Sequence, residues 1–564
     1  MNFDNYFTRD KIIQLLCKYR AKVAKNRHKK HIRYSLSTEC YIEPKGEIYQ
    51  IMPPRRMWHK FRFKEDNKED SVKYTRKVIY KTIKYTEGKF QNNPLKTPPE
   101  WFDKLNLFID DIVSKINSDY KLGKPHIYLI TKDKTRTEYR PLSQYALAEK
   151  VIISVTAKYL TEIFDCLFLD CSYAFRLTKS KNDSSGRNHH ATIPIIQEYR
   201  QNNGANLWVA ECDIRKFYDC VNHKIIRKTF RQLEQQKKSQ GILLDRRAKK
   251  IFYKYVASYS YMDVLDKATQ ESRLDKLGFV EVAKELKKIY HCQNKIFSYK
   301  YIGVSQGGEL SGLIANIVLH NTDITVSASC AEFHYLRFCD DMILLSPDKT
   351  SCSDIFSHYT QSVRNNLLAI HEPKELITYT KDFWKTKSKA PYLWAANNFP
   401  WVAFVGYQIK YDGSVRIAKK SIDKQKDKII DVLNEYKLLL TQSTEVLPRV
   451  SLGYIKNSIE KCLISLSVGR TRLYNYRKYK PVLCWIAGFK AVTRNPIFFN
   501  QLKKLDHYKA SVLRKFFKFL DSNQSNFPSI TAKNHRKKKK SIKYYGRPFS
   551  YHGAIENDIT IVKS

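Results

Sequence analysis

Three aspartates, in two distant segments of the chain, are the residues best suited to do chemistry. Asp213 lies in a run typical of a buried strand, and Asp340 and Asp341 lie together between two apolar runs. Carboxylates in such surroundings are unfavourable unless cations neutralise them. Because Mg²⁺ prefers oxygen ligands, the aspartates and the main-chain carbonyl of Ile214 are predicted to hold two Mg²⁺ ions, with Mn²⁺ as the alternative ion. Two such ions about 4 Å apart would activate a hydroxyl and hold a triphosphate, which is the chemistry of nucleotidyl transfer.

The two consecutive aspartates can share one site only where the backbone bends, because successive strand residues point to opposite faces of a sheet. The runs 335–338 and 342–345 are typical of two strands, so Asp340 and Asp341 are predicted at the tip of a β-hairpin. A second pair, Asp110-Asp111, lies where apolar residues follow helical spacing, so it is expected to be surface charge. An Asp-Asp dipeptide alone therefore predicts nothing.

The segment Ser305-Gln-Gly-Gly-Glu-Leu-Ser-Gly312 places two glycines beside a glutamine and ahead of an apolar, helix-like run. Gly307 and Gly308 would let the backbone approach a base pair closely, because glycine has no side chain. Gln306 is then predicted to hydrogen-bond the incoming nucleotide or the strand opposite it, with Gly307 beside it. Taken alone, such a segment is an ordinary glycine-containing turn in most proteins.

The charge of the chain indicates a polyanionic partner. Its 564 residues include 101 Lys and Arg against 55 Asp and Glu, which gives a formal net charge of +46. The aromatic content of 13% suits the stacking of bases. Nucleic acid is therefore the predicted partner, and a merely basic or ribosome-associated protein is the alternative.

Cysteine usage and hydropathy predict a reduced, cytoplasmic protein without a membrane partner. The twelve cysteines include no CxxC pair, so a structural zinc site is not expected. The N-terminus carries charges where a signal peptide has its apolar core, and no run of 18 apolar residues occurs.

Composition and periodicity divide the chain into four predicted parts. Within them, 126–131 is typical of a strand, 101–116 and 146–163 of helices, and 415–480 of a helical bundle. The parts are a basic, largely helical N-terminal extension (1–125), a mixed region with a charged helical connection at 230–295 (126–410), a helical part (411–485) and a basic C-terminal extension (486–564). The run Arg536-Lys-Lys-Lys-Lys540 in the last part is either disordered or a nucleic-acid clamp.

The two segments that carry the aspartates and the glycine-rich segment resemble those of the reverse transcriptases, especially the bacterial branch related to group II intron and retron enzymes. The resemblance covers about residues 130–410. Phe338-Cys-Asp-Asp341 resembles the YxDD box, with phenylalanine in place of tyrosine, and Asp213-Ile-Arg-Lys-Phe-Tyr-Asp219 is similar to the first acidic motif of the family. Ser305–Gly312 resembles PQGxxxSP, with Ser305 and Gly312 replacing both prolines. The resemblance implies an α+β right-hand polymerase fold, with fingers and palm over 126–410, including an antiparallel palm sheet, and a helical thumb over 411–485.

Further boxes follow in the order of the family. Arg140 resembles the fingers arginine that contacts the triphosphate, and Arg176 ends Ser172-Tyr-Ala-Phe-Arg, which is similar to the SYGFR box. Lys374 resembles the catalytic lysine near the leaving pyrophosphate. Phe404-Val-Gly-Tyr407 resembles the primer grip. The resemblance implies nucleotide binding by Arg140. It implies primer or template binding by Arg176, Phe404, Gly406 and Tyr407.

Tyr218 lies five residues after Asp213, where the family places a bulky aromatic that collides with a ribose 2′-hydroxyl. RNA-dependent RNA polymerases resemble the same palm but carry aspartate at that position. Asp219 is one place too late for that role, so the resemblance implies selectivity for deoxynucleotides. Core packing of Tyr218 is the alternative.

The resemblance implies an RNA-directed DNA polymerase that joins dNTPs to a 3′-hydroxyl, with nucleic acid as partner: an RNA template, expected to be non-coding, and a DNA product. The profile looks like that of stand-alone bacterial defence-associated reverse transcriptases, some of which synthesise without a conventional template or prime from protein. A homo-oligomer, or a second polymerase or effector protein, is a further expected partner. The alternatives are a maturase-like RNA-binding protein of a mobile element and a catalytically silent nucleic-acid scaffold.

Overall fold

The computed structural model describes residues 2–33, 46–59, 71–93, 95, 97–132, 137–177, 187–204, 206–442, 452–468, 485–523 and 549–550. These residues form helices together with three antiparallel sheets. The predicted basic run 536–540 lies outside the described residues. None of the described helices combines the length and the apolar character needed to cross a lipid bilayer.

Helices and strands come in blocks along the described parts of the chain. The helices are α1 (Arg9–Arg33), α2 (Ser71–Gln91), α3 (Glu100–Asn117), α4 (Leu147–Phe164), α5 (Thr192–Asn202), α6 (Phe217–Cys220), α7 (His223–Ser239), α8 (Arg246–Ala257), α9 (Tyr261–Gln270), α10 (Val280–Cys292), α11 (Ser311–Ser327), α12 (Lys349–Asn365), α13 (Lys381–Lys385), α14 (Lys419–Gln442), α15 (Leu452–Val468) and α16 (Pro496–Ser522). The strands are β1 (His126–Thr131), β2 (Tyr139–Gln144), β3 (Leu207–Asp213), β4 (His334–Phe338), β5 (Asp341–Ser346), β6 (Lys389–Trp394), β7 (Trp401–Phe404), β8 (Tyr407–Lys410) and β9 (Val415–Ile417).

A four-stranded antiparallel sheet, here called the central sheet, has the strand order β4-β5-β3-β6. Its two middle strands, β3 and β5, are buried along most of their length, which explains their apolar sequences. Helix α12 packs against β3, β5 and β6, and also against α11. Helix α11 is buried over most of its length, and its Asp323 binds Tyr335 and Arg337 of β4, so it forms part of the core beside this sheet.

The outer strand β4 does not leave a free edge near the end that leads into Cys339. The main-chain N–H of Arg337 donates to the carbonyl of Cys171 (2.8 Å), and the N–H of Tyr173 donates to the carbonyl of Arg337 (2.9 Å). The segment that precedes Arg176 therefore covers the edge of the sheet at this point.

Local capping residues fix where two important helices begin. Asn222 accepts hydrogen bonds from the main-chain N–H groups of Lys224 and Ile225, which starts α7 directly after the first acidic segment. Asp348 accepts one from the N–H of Ser351 (2.7 Å), which starts α12 after β5. Each strand of the central sheet that bears an aspartate is thus followed closely by a capped helix.

The two smaller sheets are formed from neighbouring strands. Strands β1 and β2 pair in an antiparallel hairpin, and β7, β8 and β9 follow one another in a three-stranded sheet. The segment 415–417, which the sequence assigned to a helical bundle, is strand β9, and α14 starts only at Lys419. The short alternating run Val415-Arg-Ile417 buries its first and third residues, which suits a strand.

The chain separates into two compact units. The first contains 1–12, 107–405 and 409–413, and includes the central sheet. The second contains 13–106, 406–408 and 414–564, and its buried cluster joins apolar residues of α14, α15 and α16, among them Ile429, Tyr436, Ile459 and Leu502. The helical character predicted for 230–295 is present as α7 to α10, and that predicted for 101–116 and 146–163 as α3 and α4.

Candidate active site

Asp340 and Asp341 lie at the tip of the β4–β5 hairpin. Phe338 and Asp341 are the last paired residues, so Cys339 and Asp340 form a two-residue turn. Cys339 has a φ of +62°, whereas Asp340 does not have a positive φ, which is the pattern of a type II′ turn. The bend predicted from the sequence is therefore present, and it brings Asp340 out of the strand alternation that would separate it from Asp341.

Asp213, the last residue of β3, is the register partner of Asp341 on the neighbouring strand. Neighbouring strands lie about 5 Å apart, so the backbone brings the two residues side by side. Asp340 is half-buried, and its pKa is raised above the ordinary value, first by burial and further by the negative charge of Asp213. The backbone therefore gathers the three predicted aspartates at one end of the central sheet.

The side chains at this end of the sheet do not form a finished metal cage. Among the described residues, no three His, Cys, Asp or Glu side chains lie close enough together to hold an ion. The donor set nevertheless fits Mg²⁺ or Mn²⁺, because it consists of carboxylate oxygens. The repulsion that raises the pKa of Asp340 is the force that a cation between Asp340 and Asp213 would remove.

Asp213 has two basic neighbours that the sequence did not identify. Its Oδ2 lies 3.4 Å from Lys387 Nζ and 3.6 Å from His371 Nε2, and these two nitrogens are 3.0 Å apart. Burial and the Lys387 charge lower the pKa of His371 to about 4, so this imidazole is neutral near pH 7. The main-chain N–H of Asp213 donates to Ser388 Oγ (3.0 Å), which fixes the end of β3. Charged residues that alternate along Lys385, Lys387 and Lys389 were the available signal.

Ile214 follows Asp213 and is buried, with Ile370 as its bridge partner. The carbonyl of Asp213 accepts a hydrogen bond from the N–H of His371 (2.9 Å), and the N–H of Arg215 donates to the carbonyl of Ala369 (2.8 Å). The backbone on both sides of Ile214 is therefore held in an extended pairing. The role of its carbonyl as a metal ligand stays a prediction.

A buried arginine supports the hairpin turn from below. Arg337 is 0% exposed and donates through Nη1 to the carbonyl of Cys339 (2.9 Å). Its Nε and Nη2 bind the carboxylate of Asp323, at 2.8 and 2.5 Å, and Nη2 also donates to Ser172 Oγ (3.0 Å). Tyr335 donates to the same carboxylate (3.0 Å). The turn that carries Asp340 is thus fastened to α11 and to the segment covering β4.

Tyr218 contacts the same turn from the other side. Its hydroxyl lies 3.1 Å from the Sγ of Cys339, and its carbonyl accepts a hydrogen bond from the N–H of Val304 (2.8 Å). Burial, and then the proximity of Cys339, raises the pKa of the hydroxyl, which therefore stays protonated. The residue is therefore held by its hydroxyl and by its main chain beside the predicted metal site. The role of the ring in excluding a ribose 2′-hydroxyl stays a prediction.

The glycine-rich segment is shaped by the groups behind it. Gly307 has a φ of +91°, and a Cβ on Gly308 would lie 2.1 Å from the hydroxyl of Tyr255. Gln306, between the buried Ser305 and these glycines, donates from Nε2 to Oδ1 of Asp219 (2.8 Å). The segment therefore places Gln306 and Gly307 against the end of the first acidic motif.

The second replaced proline has a structural explanation. Gly312 lies at the start of α11, and a Cβ there would come within 2.5 Å of the ring of Phe175. Phe175 itself has a φ of +58°, which is unusual for a bulky residue. The ring occupies the space that a proline at 312 would need.

The two cationic residues assigned to the nucleotide lie in different surroundings. Arg140 is exposed on β2, opposite Ile130, and its charge acts on Asp219. Lys374 is exposed and forms a backbone bridge with Lys389. The lysine that contacts Asp213 is Lys387, not Lys374, so the assignment of Lys374 beside the pyrophosphate stays a prediction.

Arg176 is engaged inside the protein. Its side chain is 2% exposed, and its guanidinium donates to Asp165 Oδ1 and to the carbonyls of Asp165, Phe168, Leu169 and Ser172, at 2.7–3.0 Å. Because a guanidinium has five N–H groups and five such bonds are formed, the geometry indicates a structural residue that orders the turn after α4. Its assignment to primer or template binding therefore finds no support in these contacts.

The predicted primer-grip residues form the turn between β7 and β8. Val405 and Gly406 have φ values of +42° and +90°, the pattern of a type I′ turn, and Phe404 and Tyr407 flank it as buried residues. A positive φ is rare for a β-branched residue, so Val405 is held in an uncommon conformation. Contact with a primer stays a prediction for all of these positions.

Comparisons with known proteins bear on the same region. Residues 130–409 match the model of the family described as reverse transcriptase (RNA-dependent DNA polymerase). This match, with the mixed helices and antiparallel sheets, confirms the predicted α+β polymerase fold. A search of curated proteins found no match.

Among solved structures, the chain is similar to two yeast telomerases. For apo telomerase from Candida tropicalis, the identity is 13%, the TM-score is 0.32, and the match covers 73% of this chain and 68% of that one. For telomerase from Candida albicans with a TWJ fragment of telomeric RNA, the identity is 13%, the TM-score is 0.30, and the coverage is 83% and 73%.

Proposed function

Because the chain contains a reverse transcriptase domain at residues 130–409, we propose that it synthesises DNA by adding dNTPs to a 3′-hydroxyl with the help of two divalent ions. The observation that carries this proposal is the register of the central sheet, which pairs Asp213 with Asp341 and sets Asp340 in the adjoining turn. Stability gives no reason to gather carboxylates whose charges repel each other.

The roles of the site residues follow from their positions. Asp213, Asp340 and Asp341, with the Ile214 carbonyl, would hold Mg²⁺ or Mn²⁺, which when bound would polarise the attacking hydroxyl and neutralise the triphosphate. Tyr218 would exclude a 2′-hydroxyl by its bulk, and Gln306 and Gly307 would line the nucleotide. Arg140, on β2, would bind the triphosphate. Lys387, like Lys374, is a candidate for a lysine that places its positive charge near the triphosphate.

Primer extension by the purified full chain tests this proposal. We expect incorporation of dNTPs on a primed RNA template with Mg²⁺, and its loss when Asp340 and Asp341 are both changed to Asn. A template-free reaction and a primer-free reaction, run in parallel, distinguish unconventional or protein-primed synthesis from copying. No incorporation in any of these reactions, with either ion, would refute the polymerase.

We further propose that the enzyme belongs to the bacterial stand-alone branch, acts in the cytoplasm in antiphage defence, and uses a non-coding RNA. The net charge of +46 supports a nucleic-acid partner but does not specify it. Sequencing the nucleic acid that co-purifies with the protein should yield one recurring structured RNA. Phage plating on cells with the wild-type gene and with the double Asn variant tests the defensive role, and equal plating would contradict it.

A further inference from the structure

Asp219 is a buried carboxylate that the reaction described above does not use. It is 3% exposed, and it lies at the end of the first acidic motif, on α6. Its Oδ1 accepts a hydrogen bond from Nε2 of Gln306 at 2.8 Å. Gln306 is only partly buried and belongs to the segment assigned to the nucleotide. A buried acid is therefore attached directly to a residue at the site.

The charge of Asp219 determines which way the Gln306 amide faces. An ionised carboxylate can only accept hydrogen bonds, so the amide must direct its NH₂ group inward and its Oε1 away from Asp219. A protonated carboxyl could instead donate to Oε1, and the amide would turn over. A neutral Asn at 219 offers both a donor and an acceptor, and would allow either orientation.

The main chain around Gln306 is held by three further hydrogen bonds. The carbonyl of Gln306 accepts a hydrogen bond from the N–H of Ser143 (3.4 Å), and the carbonyl of the preceding Ser305 accepts one from the N–H of Gly308 (3.3 Å). The hydroxyl of Ser311 also binds the Ser305 carbonyl (2.5 Å). The backbone fixes where the side chain of Gln306 begins, and the hydrogen bond to Asp219 is the contact of its amide among the described residues.

We propose that Asp219 is a positioning residue that holds Gln306 with its carbonyl oxygen toward the incoming nucleotide, so that the site offers a hydrogen-bond acceptor there and not a donor. The inference rests on the proposed DNA synthesis and goes beyond it, because it assigns the polarity of a specific contact. The acceptor would suit a hydroxyl or amino donor of the nucleotide.

The surroundings of Asp219 keep it ionised at neutral pH while leaving it sensitive to mild acid. Burial raises the pKa of Asp219 to about 6, whereas Lys216, Gln306, Arg140 and Lys132 act in the opposite direction. The other titratable groups that face it are Tyr259, Tyr261 and Cys220, whose own pKa values Asp219 raises. Protonation below about pH 6 should therefore release the amide from this single orientation.

Steady-state kinetics of Asp219→Asn test the inference. We expect the KM for dNTPs to rise about tenfold at pH 7.5, the size of one lost hydrogen bond, with a much smaller change in kcat. The wild-type KM should rise as the pH falls from 7 to 5.5, and the variant KM should not. Asp245→Asn, a cap of α8 that contacts Arg247 and not the site, should leave KM unchanged.

Stability separates positioning from a merely structural role. Because the folded state raises the pKa of Asp219, its ionised form disfavours folding at neutral pH, and that penalty is lost as the pH falls. Asp219→Asn should therefore be at least as stable as the wild type at pH 7.5, in thermal unfolding.

A double-mutant cycle with Gln306→Leu completes the test. If Asp219 acts through Gln306, then adding Asp219→Asn to Gln306→Leu should change KM no further. Additive effects, or a wild-type KM in Asp219→Asn, would overturn the inference while wild-type synthesis continues. Absence of synthesis by the wild type would instead refute the proposed function.

Discussion

The chain contains two described Asp-Asp pairs that behave in opposite ways. Asp110-Asp111 lies on α3, exposed, and Lys115 Nζ contacts Asp111 Oδ2 at 2.6 Å, one helical turn away. Asp340-Asp341 lies at a hairpin tip opposite Asp213, where burial and a like charge raise the pKa of Asp340. In the first pair, solvent and a lysine screen the negative charges, whereas in the second pair another carboxylate repels them.

The two pairs differ because one lies on a helix and the other in a hairpin turn held by a buried side chain. A helix separates its charges over its surface and lets each find a partner one turn away. The hairpin turn of Cys339 and Asp340 is instead fixed by the carbonyl contact of Arg337, a residue with no solvent exposure. Carboxylates held together by a rigid frame are therefore the mark of a site, and the dipeptide itself is not.

The largest expected effect separates the two pairs by activity. Changing Asp340 and Asp341 to Asn should reduce DNA synthesis by about a thousandfold or more, because several kcal/mol of charge stabilisation depend on ion binding. Asp110→Asn with Asp111→Asn is the matched control, and it should stay within twofold of the wild type. Primer extension measures both, and a similar loss in the two variants would abolish the distinction.

The buried ion pair of Arg337 and Asp323 should contribute more to stability than the surface pair of Asp111 and Lys115. Arg337→Leu leaves the Asp323 carboxylate buried without a countercharge, so we expect a loss of about 3–5 kcal/mol of unfolding free energy. Asp111→Asn removes only a surface pair and should cost about 0.5 kcal/mol or less. Denaturant unfolding compares them. Arg337→Leu with Asp323→Leu should recover much of the loss, and failure to do so would show that the ion pair is not the cause.

A third effect concerns the residue that touches the turn. Tyr218→Val removes the ring beside Cys339, and incorporation of ribonucleotides relative to deoxynucleotides should rise about tenfold or more. Competition between rNTPs and dNTPs measures the ratio. Tyr253→Val, which changes a tyrosine that packs against Phe230 on α7, serves as control. Unchanged sugar selectivity in Tyr218→Val would indicate that the ring only packs the core.

The smallest effect is a gain in stability. Because the folded state raises the pKa of Asp340, its ionised form disfavours folding above that pKa, and the penalty is lost as the pH falls through it. Asp340→Asn should therefore raise the melting temperature by about 1–2 °C at pH 8 with a chelator present, and by less at pH 4. Asp110→Asn should show no such pH-dependent gain. A lower melting temperature for Asp340→Asn at pH 8 would contradict the crowding of charges.

Much of the fold was predictable because the patterns are local. Alternating or apolar runs gave β1, β3 and the β4–β5 hairpin, and helical spacing gave α3 and α4. The start of the 415–480 segment was wrong, because three residues of alternating burial form a strand before the helix. The placement of the three aspartates followed from the strands that carry them.

Contacts between distant segments were not predictable in the same way. Lys387 and His371 meet Asp213 only in the folded chain, and the one local signal was the alternation of Lys385, Lys387 and Lys389, which does not mark His371. Arg176 has the family's sequence neighbours, but its guanidinium turns inward to five carbonyl and carboxylate acceptors. The pairing of Arg337 with Asp323 had a signal: Asp323 is the one Asp, Glu, Lys or Arg in α11 and Arg337 is the one in β4, which favours a buried ion pair.

The hydrogen-bond acceptors of Arg337 also affect the order in which parts of the chain fold. Ser172 is 165 residues away from it, and Asp323 and Cys339 come from different elements. A guanidinium cannot leave water until these acceptors are present, and contacts of such long sequence separation form slowly. We therefore expect the turn of Cys339 and Asp340 to form late, when the surrounding core has already closed, and a half-folded chain would carry the aspartates without the frame that holds them together.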